Sequence, residues 1–373
     1  MEQQKADPLI RTKLRPPFTR AGLVLRPRLQ EQIAQGLRGP LTLITAPAGF
    51  GKTTLLASCV IGCGMTVAWL SVDKNDNQAG RFLNYLVAAL QEAVPTVGSE
   101  AARLLTAVQQ VPPEAVLASL INDLDTASQE MALVLDDYQF IHNQAVHEAV
   151  AFVLEHCPKT FHVVIATRSD PPLPLARLRA RGQMVELRRA DLGFTEPEAA
   201  QFLKDVMGLT LEEGSVAVLQ ERTEGWIAGL QMAALSMRDR EDVAGFIAGF
   251  SGTNRYILDY LLEEVLAREP EEVQAFLLQT AILTRLSGPL CDAVRFGSAE
   301  PPSSSEGTAV AGAPSGQEML ERLERRNLFV VSLDDDRRWY RYHHLFADLL
   351  QTRLHQSGPD RVARLLSRAA EWC

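Results

Sequence analysis

Short apolar runs separated by helix-like segments dominate the first half of the chain. Five runs are strand candidates, at residues 41–46, 67–72, 131–135, 161–166 and 185–187. Three segments between them have helical apolar spacing, at 52–63, 81–93 and 116–124. Continuous apolar runs are typical of strands buried on both faces of a parallel sheet. Their alternation with helices predicts an open α/β domain.

From Glu196 onward the pattern becomes helical. Five segments have helical spacing, at 196–207, 211–222, 226–237, 254–266 and 271–283, and Thr195 is suited to capping the first of them. Ser298–Gln317 is rich in Ser, Gly, Ala and Pro and is predicted to be a mobile insertion.

Beyond the insertion, the apolar pattern is typical of a helical domain that carries a β-hairpin. A helix at 319–326 is followed by two short strands around an acidic turn at 334–336, and then by helices at 345–354 and 361–372. This order predicts a winged-helix layout.

Composition excludes several classes of protein. The 373 residues exceed one ordinary core, and 46% hydrophobic with 22% charged residues is normal for a globular chain. The net charge of −9 argues against a protein that mainly coats nucleic acid. The apolar pattern predicts neither a signal peptide nor a membrane span, and the five scattered cysteines lack metal spacing. A cytoplasmic protein with reduced cysteines is expected.

The first chemical motif is a phosphate-binding loop. Residues 46–53 read APAGFGKT, the Walker A spacing with alanine in place of the first glycine. Gly49 and Gly51 permit backbone angles that point N–H groups at phosphate oxygens. Lys52 is expected to reach the β- and γ-phosphates, and Thr53 to ligate Mg²⁺. Because a strand precedes the loop and a helix follows it, we predict binding of ATP or ADP with magnesium.

Polar residues at two strand ends extend this site. Asp136 and Asp137 end the strand MALVL, where ligands bind in open α/β sheets. Asp136 is expected to hold Mg²⁺, and Asp137 to orient or deprotonate the attacking water. The alternative is a solvated acidic turn. Arg168 follows the next strand and is expected to sense the γ-phosphate, or else to pair on the surface with Asp170.

Other polar residues admit two interpretations. Asp73 and Asp76, after the second strand, either approach the nucleotide or form an ordinary polar loop. His343 and His344 open a helix after a strand, where a capping or partly buried histidine is the default. No third metal ligand with suitable spacing lies near them in the sequence.

The chain resembles the signal-transduction ATPases with numerous domains, and among them the MalT-type large ATP-binding regulators of the LuxR family. The resemblance covers nearly the whole chain. Its carriers include LIRTKLRPP, TAPAGFGKTTL, WLSVDKNDNQAGRFLNYLVAAL, LVLDDYQFIHNQAVHEAV, VVIATRSDPPLPLARLRARGQ, TEGWIAGLQMAALSM and WYRYHHLFADLLQTRL.

This resemblance implies a domain order. We expect a P-loop nucleotide-binding domain at 1–190, an all-α arm domain at 191–250 and a winged-helix domain at 251–357 that contains the insertion. Residues 358–373 are expected to begin a truncated helical, repeat-like region. Relatives carry an inducer-sensing repeat region and a DNA-binding helix-turn-helix further on, so contact with inducer or DNA is expected only through regions beyond Cys373.

The resemblance also implies nucleotide contacts. The loop is expected to bind the nucleotide through Ala48, Gly49, Phe50, Gly51, Lys52, Thr53 and Thr54. Val24 and Arg26 match the segment that lies near adenine in such ATPases. His343 matches a winged-helix histidine that contacts the β-phosphate of ADP.

These expectations describe a switch: a weak ATPase in which slow hydrolysis controls self-association. Two alternatives remain open. One is a steadily cycling ATPase of the AAA-like class. The other is a winged-helix protein that binds DNA directly, although its basic residues Arg337, Arg338 and Arg341 adjoin the three aspartates at 334–336.

Overall fold

The chain forms two compact units. The computed structural model describes residues 8–18, 22–60, 64–106, 111–127, 129–212, 214–238, 240, 242–297 and 314–372. The first unit comprises Met1–Ala46 and Gly51–Leu192, and the second comprises Pro47–Phe50 and Gly193–Cys373. In the described part of the chain, no helix is both long and apolar enough to cross a membrane.

A five-stranded parallel sheet forms the centre of the first unit. Its strands are β1 (Leu41–Thr45), β2 (Thr66–Ser71), β3 (Met131–Asp136), β4 (Phe161–Thr167) and β5 (Met184–Leu187). They are arranged in the order β2-β3-β4-β1-β5, and every pairing is parallel. Every residue of β1, β3 and β4 is buried, as their uninterrupted apolar sequences predict. The predicted parallel α/β architecture is confirmed.

Eight helices lie in the described part of this unit. They are α1 (Pro27–Gly36), α2 (Lys52–Val60), α3 (Ala79–Ala93), α4 (Ser99–Leu105), α5 (Pro113–Ala127), α6 (Gln144–His156), α7 (Leu175–Ala180) and α8 (Arg189–Leu192). In α3 the apolar residues Phe82, Leu83, Leu86 and Leu90 recur at helical spacing and are all buried. The last three residues of the helix predicted at 52–63 lie outside the described residues.

A buried ion cluster holds the N-terminal segment against the sheet. Arg11–Leu14 forms one 3₁₀ turn, from which Lys13 donates to both Asp73, at 3.0 Å, and Asp76. Asp76 is fully buried and also accepts from the backbone N–H of Asp73 (2.8 Å) and from Arg81 Nε (3.4 Å). Asp73 and Asp76 therefore form ion pairs that hold the N-terminal segment. This arrangement supports neither of the two predicted roles, a contact with the nucleotide or an ordinary polar loop.

The second unit is mainly helical. Its helices are α9 (Glu196–Gln201), α10 (Ser215–Thr223), α11 (Ile227–Met237), α12 (Val243–Gly249), α13 (Arg255–Glu264), α14 (Glu271–Thr280), α15 (Gly288–Phe296), α16 (Gly316–Arg325), α17 (His344–Gln356) and α18 (Pro359–Trp372). The predicted cap of α9 is present, since Thr195 and Glu198 form a reciprocal capping box. A π-helical segment, Phe202–Val206, extends α9.

A two-stranded antiparallel ribbon follows α16. Strands β6 (Val330–Ser332) and β7 (Tyr340–Tyr342) pair with Ser332 opposite Tyr340. The hairpin is closed by Asp334, whose carboxylate accepts from the backbone N–H groups of Arg338 (2.8 Å) and Trp339 (3.0 Å). Helices on both sides of a short hairpin form the winged-helix arrangement that the sequence predicts.

The predicted mobile insertion ends earlier than expected. Residues 298–313 lie outside the described residues, but Ser315 caps α16 through a reciprocal capping box with Glu318. The backbone N–H of Gly316 also donates to both carboxylate oxygens of Asp292, at 2.8 and 2.9 Å. The assignment of Ser315–Gln317 to the insertion is therefore wrong, because a helix N-terminus with local and tertiary partners begins there.

Candidate functional site

The phosphate-binding loop connects β1 to α2. Gly49 and Gly51 have φ values of 79° and 71°, in the left-handed region that favours glycine. Helix α2 begins at Lys52, and its first closing bond runs from Leu55 N–H to the carbonyl of Gly51. The N–H groups of the first turn, which includes Thr53 and the exposed Thr54, have no acceptor within the helix by geometry. They present the positive end of the helix dipole, which suits an anion.

Lys52 contributes a buried positive charge at this point. Its side chain is 8% exposed, and Nζ donates to the carbonyl of Ala46 at 2.7 Å. Burial and the nearby charge of Arg168 lower the pKa of Lys52 to about 8, although the carboxylates of Asp137 and Asp136 oppose the shift. Two neighbouring cations, one of them buried, favour the binding of an anionic ligand.

Thr53 and Asp136 lie together at the end of β3. The hydroxyl of Thr53 donates to Asp136 Oδ1 at 3.0 Å. Burial and the adjacent Asp137 raise the pKa of Asp136 to about 6, despite the opposing hydrogen bond from Thr53. A buried carboxylate beside a hydroxyl supplies the hard oxygen donors that Mg²⁺ prefers. These two residues therefore fit the predicted metal-binding role.

Gln139, which the sequence analysis did not identify as a site residue, joins Asp137 to Arg168. The side-chain amide of Gln139 donates to Asp137 Oδ1 at 2.8 Å, and its oxygen accepts from the backbone N–H of Arg168 at 3.1 Å. The alternative partner of Arg168, Asp170, accepts two hydrogen bonds from the guanidinium of Arg188. The only signal for Gln139 in the sequence was its position two residues after the acidic pair.

A pocket of about 270 Å³ opens beside these residues. Its walls come from the segments after β3 and β4, and they include Gln139, Thr167, Ser169 and Asp170. Within it, the hydroxyl of Tyr138 lies 2.9 Å from His147 Nδ1. Ligands of open α/β sheets bind at this carboxyl edge of the strands.

The tip of the loop belongs to the second unit and is held there by its carbonyl groups. The indole N–H of Trp226 donates to the carbonyl of Ala48 at 2.9 Å, and the backbone N–H of Ala228 donates to that of Gly49 at 3.1 Å. Phosphate-binding loops bind anions through their backbone N–H groups. The two bonds from Trp226 and Ala228 involve the carbonyl groups of Ala48 and Gly49 instead. In the sequence, Trp226 stands out only as the start of a predicted helix and within a motif of the family resemblance.

Gly49 is required by packing as well as by its backbone conformation. A Cβ atom there would lie 2.6 Å from Trp226 Nε1 and 2.6 Å from the Cβ of Ala228. Any larger residue would therefore displace the loop from the segment that begins at Trp226. Phe50, one of the loop residues predicted to bind nucleotide, has a fully buried side chain.

His343 lies in the same aromatic cluster. It is fully buried, and its Nε2 is 2.9 Å from the carbonyl oxygen of Thr223. Its ring makes edge-to-face contacts with Trp226 and Phe329. His343 thus contacts Trp226, whose indole N–H in turn donates to the carbonyl of Ala48. Its role toward the β-phosphate stays a prediction.

The neighbouring Glu224 joins the arm segment to the winged hairpin. Both of its carboxylate oxygens accept from the Arg341 guanidinium, at 2.7 and 2.9 Å, and one also accepts from the backbone N–H of His344 at 3.1 Å. Burial would raise the pKa of Glu224, but the bond from Arg341, the electrostatic influence of His343 and Arg341 and the bond from His344 outweigh it and lower the pKa to about 2.

We expect Glu224→Gln to destabilise the second unit in a pH-dependent manner. Lowering the pKa from 4.5 to about 2 corresponds to about 3 kcal/mol of stability above pH 5, which is lost as the pH falls from about 5 to 2. The variant should therefore unfold at lower urea than wild type at pH 7, and the difference should shrink at pH 3. Hydrogen exchange of α10 and α17 peptides under urea measures it. The exposed Glu221→Gln is the control; a pH-independent difference would contradict the ion-pair account.

The residues expected near adenine lie in the first unit. Arg26 is 5% exposed and forms the N-cap of α1, where its carbonyl accepts from the backbone N–H groups of Leu29 and Gln30. Val24 is half-buried in the preceding extended segment. The contact of these two residues with adenine stays a prediction.

Comparison with known proteins defines the class. Residues 262–362 match the MalT winged helix domain family. The chain is 35% identical over 367 residues to the HTH-type transcriptional regulator MalT of Yersinia pestis, covering 97% of this chain and 38% of the relative. It is 34% identical over 364 residues to the serine/threonine-protein kinase PknK of Mycobacterium tuberculosis, covering 97% of this chain and 31% of the relative.

A solved structure also aligns with most of this chain. The STAND protein PH0952 of Pyrococcus horikoshii, which has a tetratricopeptide repeat sensor, aligns over 95% of this chain and 49% of its own, with a TM-score of 0.43 and 14% identity. The parallel sheet and the phosphate-binding loop define a P-loop NTPase domain, which helical and winged-helix parts follow. The resemblance to MalT-type regulators is confirmed, because residues 262–362 match the MalT winged helix domain family and 97% of the chain aligns with MalT. The chain spans about a third of the length of these curated relatives.

Proposed function

We propose that this chain is the ATP- and ADP-binding switch module of a MalT-like regulator. The observation that carries the proposal is the cluster at the sheet edge. Lys52 lies at the start of α2, Thr53 contacts Asp136, and Gln139 joins Asp137 to Arg168. Positive charge for phosphates, oxygen donors for a metal ion and a carboxylate beyond them are the parts of a phosphoryl-transfer site.

Each residue has a defined task in this proposal. The backbone N–H groups of the loop and the first turn of α2 bind phosphate oxygens, and Lys52 neutralises the charge on the β- and γ-phosphates. Thr53 and Asp136 hold Mg²⁺, which supplies charge neutralisation between the phosphates. Asp137 orients the attacking water and takes its proton, and Arg168 distinguishes ATP from ADP through the γ-phosphate.

The switch itself follows from different affinities of the two nucleotides for two conformations. In the proposal, ADP favours a resting form in which His343 of the winged-helix part responds to the β-phosphate. ATP favours a form that self-associates, and slow hydrolysis resets it. Inducer and DNA act through other regions of a complete cytoplasmic regulator.

The relatives support a module of this kind. One is named a transcriptional regulator and the other a protein kinase, yet both align with 97% of this chain. A segment shared by proteins with such different names is suited to a common control task. We therefore propose that this segment controls the activity of each protein, and that other regions of the protein carry out that activity.

Direct DNA binding by the winged-helix part is less well supported. Arg341, one of its three basic candidates, is committed to the carboxylate of Glu224. Asp334 lies in the same hairpin and would repel phosphate. Salt-dependent binding to duplex DNA is the observation that would favour this alternative.

We expect the chain to form different species with ADP and with a non-hydrolysable ATP analogue, both with Mg²⁺. Size exclusion with light scattering should show a larger mass with the analogue, and hydrolysis should be slow, well below about 1 s⁻¹, the low end of ordinary enzyme turnover. Lys52→Ala is the control and should show one species under both conditions. Identical profiles for the wild-type chain, and for the complete protein with its inducer, would reject the switch. Rapid turnover would instead favour the steadily cycling ATPase.

A further inference from the structure

We infer that Gln139 is a positioning residue that holds the carboxylate of Asp137 in place relative to Arg168 and so controls the rate of ATP hydrolysis. The inference rests on the proposed ATPase function and deepens it. Gln139 does not need to touch the nucleotide for this role, because it acts through the two residues that it joins.

The partners of Gln139 determine how its amide is oriented. A carboxylate only accepts hydrogen bonds, so Asp137 Oδ1 must face the NH₂ group, at 2.8 Å. A backbone N–H only donates, so Arg168 must face the amide oxygen, at 3.1 Å. One side chain with both a donor and an acceptor is needed, and glutamine satisfies both partners without carrying a charge.

The backbone around Asp137 leaves its side chain as the adjustable part. Asp137 has a φ of 57°, an unusual value for a residue other than glycine, and begins the 3₁₀ turn Tyr138–Phe140. Its carbonyl accepts from Phe140 N–H at 3.2 Å, and Tyr138 is 1% exposed. The turn thus fixes where the Asp137 side chain starts, and the bond from Gln139 fixes one of its carboxylate oxygens.

The same amide couples two strand ends. Strands β3 and β4 are hydrogen-bonded neighbours with Leu135 opposite Ile165, so their ends lie side by side. Arg168 is the first residue after β4, and its backbone N–H is held by a side chain from the turn after β3. Movement of Arg168 is therefore transmitted to Asp137 through a single residue. A response to the γ-phosphate at Arg168 would reach the carboxylate that orients water by this route.

The test compares hydrolysis with nucleotide binding in two variants. Gln139→Met keeps the length of the side chain and removes both bonds, whereas Gln139→Glu keeps the acceptor for Arg168 and places a repelling carboxylate against Asp137. The matched control is Gln144→Met, since Gln144 is exposed, lines the same pocket, and contacts Glu148 at 3.2 Å.

We expect single-turnover hydrolysis to fall by about tenfold or more in both variants, because misplacement of a reacting group by about 1 Å costs up to about 10²-fold. The Kd for a fluorescent ADP analogue should change by less than about twofold, since the loop and Lys52 are untouched. A variant with a purely structural defect would lose binding and hydrolysis together.

The outcomes separate this inference from the proposed function. Hydrolysis within about twofold of wild type in either variant overturns the positioning role. Parallel loss of ADP binding and hydrolysis in both variants also overturns it, with circular dichroism melting as the check on folding. If the wild-type chain binds no nucleotide or hydrolyses none, the proposed function fails, whatever the variants do.

Discussion

Lys52→Ala should lower the affinity of the chain for ATP and ADP by at least about 100-fold, or about 2.7 kcal/mol. The ammonium group is buried against the carbonyl of Ala46 and is the nearest positive charge at the start of α2. Its desolvation is already reflected in a pKa of about 8, so a bound phosphate would interact with it in a medium that screens charge poorly. Titration with a fluorescent nucleotide analogue measures the loss.

A second lysine provides the control for this result. Lys159 is exposed just before β4, so Lys159→Ala changes the net charge equally without touching the loop. Its affinity should stay close to that of wild type. Equal effects of the two substitutions would show a general electrostatic effect, and no effect of Lys52→Ala would reject the nucleotide site altogether.

Asp76→Ala should destabilise the first unit by about 3–5 kcal/mol, the usual result of removing one partner of a buried ion pair. Asp76 is fully buried and binds Lys13, Arg81 and the backbone N–H of Asp73. Among the described residues, its removal leaves Lys13, itself 9% exposed, with the half-exposed Asp73 as its ion-pair partner. Hydrogen exchange of peptides from β2 and α3 under increasing urea measures this unit by itself.

The control for Asp76 is a surface ion pair in the same unit. Glu100 contacts Arg103 at 2.6 Å, with side-chain exposures of 45% and 76%. Glu100→Ala should therefore cost less than about 1 kcal/mol. If Asp76→Ala costs as little, the N-terminal segment is not anchored by this cluster.

Trp226 contacts both the loop and the winged-helix part within the second unit. Its indole holds the Ala48 carbonyl, and its ring packs against Phe329 and His343. Hydrogen bonds to carbonyl oxygens leave the loop N–H groups to the phosphates. Trp226 of the predicted arm therefore lies between the loop and the winged-helix residues Phe329 and His343, all within the second unit.

The predictions from sequence were most accurate where a feature depends on residues that are close together in the chain. The phosphate-binding loop, the buried strands and the cap at Thr195 all depend on residues within a few positions of one another. The apolar pattern did not predict several helices, from the 13-residue α6 to shorter ones whose sequences are ambiguous. For example, α12 contains two glycines, and α15 begins with glycine and proline. Such segments become helical because their apolar faces pack against the rest of the unit.

The sequence by itself determined the fold class, the nucleotide loop at 46–53 and the polar strand ends at Asp136, Asp137 and Arg168, because spacing and period are properties of the chain. Only the tertiary structure decided which distant groups meet. The hydrogen bond between Gln139 and Arg168 joins residues 29 positions apart in the sequence. The Glu224–Arg341 pair joins residues 117 positions apart. Partners at such separations are selected by packing and by the need to satisfy buried polar groups, and neither leaves a periodic trace in the sequence.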